Sequence, residues 1–170
     1  MRKRVPCCLV PSNRCGTDWP ALTAWVGKHT GKGIRVLELH GEEQGKAPFF
    51  AQPVGFDGRS FFVAADHGCD TEKVLHEACH FLVAPAERRK LVNYGLGPGP
   101  FRHVDDFVQD NEEVTVSLLE AKLAPHFGLP KHKLAKPDYN CANRRHLEWD
   151  TCEARADELY RRLEATLPTR

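Results

Sequence analysis

Two hydrophobic patterns divide the chain. Short β-rich runs lie before residue 66, and longer stretches with apolar positions every three or four residues lie mostly after it. Thr17-Asp18-Trp19-Pro20 has the cap and early proline of a helix start, predicting a helix to about Val26 that Gly27 stops. Residues 34–39 read as a strand and residues 41–48 as a polar loop. Residues 49–56 and 59–65 are two further β-rich runs around Asp57-Gly58, the strongest short hairpin signal, and Pro53 demotes the first to a sheet edge.

Asp70 caps the next predicted helix, with Glu72 in its first turn, where the helix dipole favours negative charge. This helix runs from Thr71 to about Ala84, and Pro85 ends it. Residues 86–92 suggest a short basic helix, and the Gly- and Pro-rich residues 93–100 a loop. Asp105 or Asp106 starts another helix reaching about Ala124, stopped by Pro125. A last amphipathic helix is expected over residues 143–166, with Trp149, Cys152, Ala156, Leu159 and Leu163 as its core stripe. Strands first and helices after give an α+β class: a small mixed or antiparallel sheet packed on helices.

Composition narrows this picture only slightly. At 170 residues the expectation is one domain, residues 1–170, with residues 1–16 as an irregular N-terminal segment. A hydrophobic fraction of 41% allows a real core, and a net charge of +1 gives no global reason to expect nucleic acid. Arg2, Lys3 and Arg4 read as a solvated terminus. No run is apolar enough for a membrane span, and Pro11 cuts the run behind the basic start too early for a signal peptide. The seven cysteines form no CxxC pair and fit free thiols in a reducing cytoplasm. Cys7, Cys8 and Cys15 lack a partner pair at zinc-ribbon spacing.

The chemistry concentrates in His76-Glu77-Ala78-Cys79-His80, an HExxH motif. On a helix, positions i and i+4 share a face, so both imidazoles can bind one ion. Glu77 is rotated by about 100° from His76 and can stand beside the ion without binding it. There it suits a carboxylate that orients or deprotonates a metal-bound water. Nine histidines make a chance HExxH roughly a 3% event, before any context is required. Val74, Leu75, Ala78, Cys79, Phe81, Leu82, Val83 and Ala84 make the helix apolar on nearly every side, hence buried. Burying His, Glu and His there without a partner is costly, and a metal removes the cost. The expectation is a zincin-like arrangement, with the HExxH helix buried at the active site.

A third ligand is needed. HExxHxxGxxH fails, because Val83 and Ala86 occupy its Gly and His positions. A carboxylate from a later helix is the alternative, and Glu112 and Glu113 both qualify. Helix phase leans to Glu112, which shares a stripe with Val116, Leu119 and Leu123. His67, His103, Asp105 and His126 are lesser candidates, each more readily read as a surface or structural residue.

The stretch from His76-Glu77 through His80-Phe81, Ala84, Arg88-Arg89, Leu91-Val92 and Tyr94-Gly95 resembles the elongation factor P hydroxylase family. A later family block, a Glu-Val pair followed by another Glu on the helix, has its counterparts in Glu113-Val114 and Glu120. The preceding strand, Phe61-Phe62-Val63-Ala64-Ala65, also has one. The resemblance covers roughly residues 60–125 and more weakly the region around residues 140–163; residues 1–55 do not match. Asn93 replaces an acidic residue, residues 96–100 replace an aromatic-rich run, and Val116-Ser117 replaces Pro-Gln. The metal core is kept while substrate-facing positions differ.

The resemblance moves the third ligand to Glu113. It implies a two-histidine, one-glutamate site for one divalent ion, Fe(II) favoured and Zn(II) the alternative, able to hydroxylate a carbon. It also implies a protein substrate such as a translation factor, with no direct nucleic-acid or membrane partner. Arg88, Arg89 and Tyr94 then become substrate-facing candidates, with Arg88, Arg89 and Lys90 otherwise a solvated basic turn. Motif spacing alone favours a second reading, a zinc metallopeptidase with Glu77 as general base. A metal-stabilised adaptor is a third, but it needs a closed coordination sphere.

Overall fold

A computed structural model describes residues 19–37, 54–64, 71–97, 99–129 and 146–168. Among these residues, four helices pack with a small three-stranded mixed sheet in an α+β architecture. The expected loop at 41–48, Pro53, His67, Asp70, the N-terminal cysteines and residues 143–145 lie outside the described residues.

Helix α1 spans Trp19–Thr30, one turn longer than expected. Gly27 does not stop it, because Trp25, Val26 and Thr30 are buried around that position and packing outweighs the glycine penalty. Gly31 ends it instead, at φ +65°, with its N–H donating to the Gly27 carbonyl at 3.0 Å.

Strands β1 (Ile34–Leu37), β2 (Val54–Phe56) and β3 (Phe61–Ala64) form the sheet in the order β1-β3-β2. β1 runs parallel to β3 with Ile34 opposite Phe61, and β2 runs antiparallel to β3 with Phe56 opposite Phe61. The hairpin and the edge position of β2 follow the sequence. Asp57 builds the turn, its Oδ1 accepting from the Arg59 and Ser60 N–H groups at 2.9 and 2.8 Å. Its other oxygen pairs with Arg35 of β1.

Helix α2 (Thr71–Val83) is the centre of the packing. It is covered by α1, by β2 and β3, and by α3 (Asp106–Leu123), so the apolar residues on every side all find a neighbour. Its last carbonyls are satisfied by guanidiniums. Arg89 donates to the Ala84 and Leu82 oxygens, and Arg155 to that of Val83.

The expected basic helix at 86–92 is only a 3-10 turn, Arg88–Lys90. A second turn, Val92–Gly95, holds three successive left-handed residues: Asn93 (φ 42°), Tyr94 (φ 57°) and Gly95 (φ 75°). Asp105 caps α3, accepting from the Val108 N–H at 2.9 Å. Pro125 lies inside a 3-10 extension, Ala124–Phe127, that Gly128 closes at φ 74°. Helix α4 (Trp149–Leu163) packs on α3 through Cys152, Ala156 and Leu163, with Leu159 and Trp149 half-buried.

Gly58, in the hairpin turn at φ +87°, has no room for a side chain: a Cβ there would stand 2.5 Å from the Lys90 carbonyl oxygen. Gly58→Ala is expected to cost about 1–3 kcal/mol, read as a lower denaturant midpoint with an unchanged m-value.

Candidate metal centre

Helix spacing brings His76 and His80 to one face of α2, and α3 crosses that face. Their Nε2 atoms lie 3.1 Å apart. Glu113 reaches in from α3, with Oε1 3.5 Å from His80 Nε2 and Oε2 3.7 Å from His76 Nε2. One ligand atom from each of the three lies within 4.8 Å of the others. Donors bound to one ion at 2.0–2.2 Å, at angles between octahedral and tetrahedral, stand about 2.8–3.6 Å apart. The closest pairings lie near that spacing, with Glu113 turning one oxygen to each imidazole, so the cluster could hold a divalent ion. His80 is sealed in, whereas the side chains of His76 and Glu113 are 31% and 37% exposed. The cluster therefore opens to solvent on the His76 side.

A second acidic group stands behind the first imidazole. Glu120 Oε2 lies 2.8 Å from His76 Nδ1 and is largely buried. Burial works to lower the His76 pKa, but the Glu120 hydrogen bond and the charges of Glu120, Glu77 and Glu113 outweigh it and hold it above the usual histidine value. Glu77 is buried next to the pair. Loss of solvent raises its carboxyl above the usual range, partly offset by His80 and His76.

Glu112, the ligand favoured by helix phase, is not in the cluster. It is buried on another side of α3 and forms an ion pair with buried Arg88. Arg88 also donates to the Tyr94 carbonyl at 3.0 Å. Apolar neighbours marked a buried face correctly, but that face is the core rather than the ion's side.

Comparison with protein-family models, with curated proteins and with solved structures finds no match for the chain. The site therefore rests on its own geometry.

That geometry turns the three substrate-facing candidates into the fold. Arg88 is enclosed with Glu112, and Arg89 caps α2 while its guanidinium lies 5.3 Å over the Phe81 ring. Tyr94 is 1% exposed and donates its hydroxyl to the Glu77 carbonyl at 2.8 Å. Its ring stacks on Phe56 on one side and His80 on the other, so it forms a wall of the site. Of the lesser ligand candidates, Asp105 is a helix cap, His126 meets the Tyr160 hydroxyl, and His103 is exposed beside Gly95. Glu120 had no role assigned from the sequence. Its signal was there: it follows Glu113 by seven residues, two turns along the same face.

His76→Ala, His80→Ala and Glu113→Ala should each abolish metal binding, read by elemental mass spectrometry of the purified protein. Glu112→Ala should keep the ligands but strand a buried guanidinium. That costs about 3–5 kcal/mol of stability, seen in a denaturant titration. Loss of metal in Glu112→Ala alone would mean the third ligand is off by one residue.

Proposed function

We propose that the protein is a metal-dependent hydroxylase of the non-haem iron kind, acting on a protein side chain. The observation that carries this reading is the donor set. Two imidazole nitrogens and one carboxylate face a common point at ligand spacing, and one flank is open to solvent. Two histidines and one carboxylate on one face of an ion leave positions for other molecules. In this chain His76, His80 and Glu113 would hold the ion. An iron(II) ion in such a set supplies oxygen activation and the hydroxylation of a carbon. The resemblance of residues 60–125 to elongation factor P hydroxylases supports the reading and suggests a translation factor as substrate.

A second reading is favoured by Glu77. A zinc metallopeptidase with a zincin-like arrangement needs a carboxylate beside the ion, and Glu77 is buried next to both imidazoles with a raised pKa. A zinc ion there would polarise the scissile carbonyl, while Glu77 takes a proton from the attacking water. A buried carboxyl with a raised pKa is the kind of group that can act as a general base.

Purification without oxygen, followed by elemental analysis and oxygen-uptake measurements, separates the two. The hydroxylase reading expects about one iron per chain and iron-dependent oxygen consumption. Tightly bound zinc together with peptide cleavage abolished by Glu77→Gln would overturn it in favour of the peptidase.

A further inference from the structure

We propose that Glu120 is the positioning residue of this centre, holding His76 through Nδ1 so that Nε2 is the nitrogen offered to the ion. The proposal rests on the reading of His76, His80 and Glu113 as a metal site.

An ionised carboxylate accepts hydrogen bonds only. Glu120 Oε2, 2.8 Å from His76 Nδ1, therefore places the ring proton on Nδ1 and leaves the lone pair on Nε2. That Nε2 is the atom facing His80 and Glu113. The two nitrogens of one imidazole point apart, so Glu120 sits behind the ring and cannot share Glu113's role. Its side chain is 12% exposed, well shielded for a carboxylate.

The partner histidine is held differently. His80 Nδ1 is buried without a hydrogen-bond partner among the described residues, and the ring is kept in place by stacking on Tyr94 at 5.7 Å. The two imidazoles are thus unequal: His80 is fixed by packing and His76, the exposed one, by charge. A carboxylate behind a ligating imidazole fixes its orientation and makes the nitrogen a stronger donor.

The test compares the unaltered protein with Glu120→Gln and Glu120→Ala. Three quantities are read: Zn(II) affinity by competition with a chromophoric chelator, the visible spectrum at saturating Co(II), and the melting temperature of the metal-free protein. Glu120→Ala should weaken Zn(II) binding by about 10- to 100-fold. Glu120→Gln should weaken it less, because its amide oxygen still accepts from Nδ1. Both should shift the Co(II) bands, which a purely structural role would leave in place, and the metal-free melting temperature should change little. Undiminished Zn(II) affinity with an unchanged Co(II) spectrum in both variants would overturn the assignment. If Glu120→Ala does not fold, the same result in Glu120→Gln alone does so. Failure of the unaltered protein to take up either ion would overturn the metal-centre reading itself.

Discussion

Helix α2 has to be covered on all sides while carrying two imidazoles and a carboxylate. Burying such groups unpartnered costs several kcal/mol each, enough to consume a large part of a domain's net stability. The fold meets this constraint by sorting the neighbours of α2. Apolar surface from α1, β2, β3 and much of α3 covers its apolar positions, and the acidic stripe of Glu113 and Glu120 is turned to the imidazoles. The packing of α3 against α2 is thus both the most extensive contact that α2 makes and the construction of the site.

The corner at Asn93-Tyr94-Gly95 joins the sheet to this arrangement. Two non-glycine residues in left-handed conformation are unfavourable unless the surroundings hold them. Here Asn93 Oδ1 accepts from the Phe56 N–H, Arg88 binds the Tyr94 carbonyl, and the Tyr94 hydroxyl reaches the Glu77 carbonyl. The ring of Tyr94 is clamped between Phe56 of β2 and His80 of α2. Gly55 allows the close approach, since a Cβ there would stand 2.5 Å from the Phe62 ring and 3.1 Å from Asn93 Oδ1. Local strain is accepted where it fixes the wall beside a histidine.

Features set by neighbours in the chain were legible in the sequence. The hairpin at Asp57-Gly58, the cap at Asp105, the end of α2 near Pro85 and the shared face of His76 and His80 all depend on a few adjacent residues. What depended on distant partners was not. Arg88 looked like a substrate-facing residue or part of a solvated basic turn because its counter-ion lies 24 residues away on another helix. Helix phase alone leans to Glu112, and only the family resemblance moves the ligand to Glu113, because a buried carboxylate seen from one helix carries no sign of what it faces. Gly27 looked like a stop because the packing of Trp25, Val26 and Thr30 around it is a tertiary property.

The neighbouring acids Glu112 and Glu113 are about 100° apart around α3. One is committed to Arg88 in the core and the other to the imidazoles. A slip of α3 by one residue would bring Glu112 into the place of Glu113 before the imidazoles, while the apolar stripe of Val116, Leu119 and Leu123 turned out of the core and Arg88 lost its carboxylate. The imidazoles could accept either carboxylate, but the stripe could not leave the core. The adjacent pair thus works as a key cut for one lock: the hydrophobic core of α3 chooses which of two chemically identical side chains faces the imidazoles.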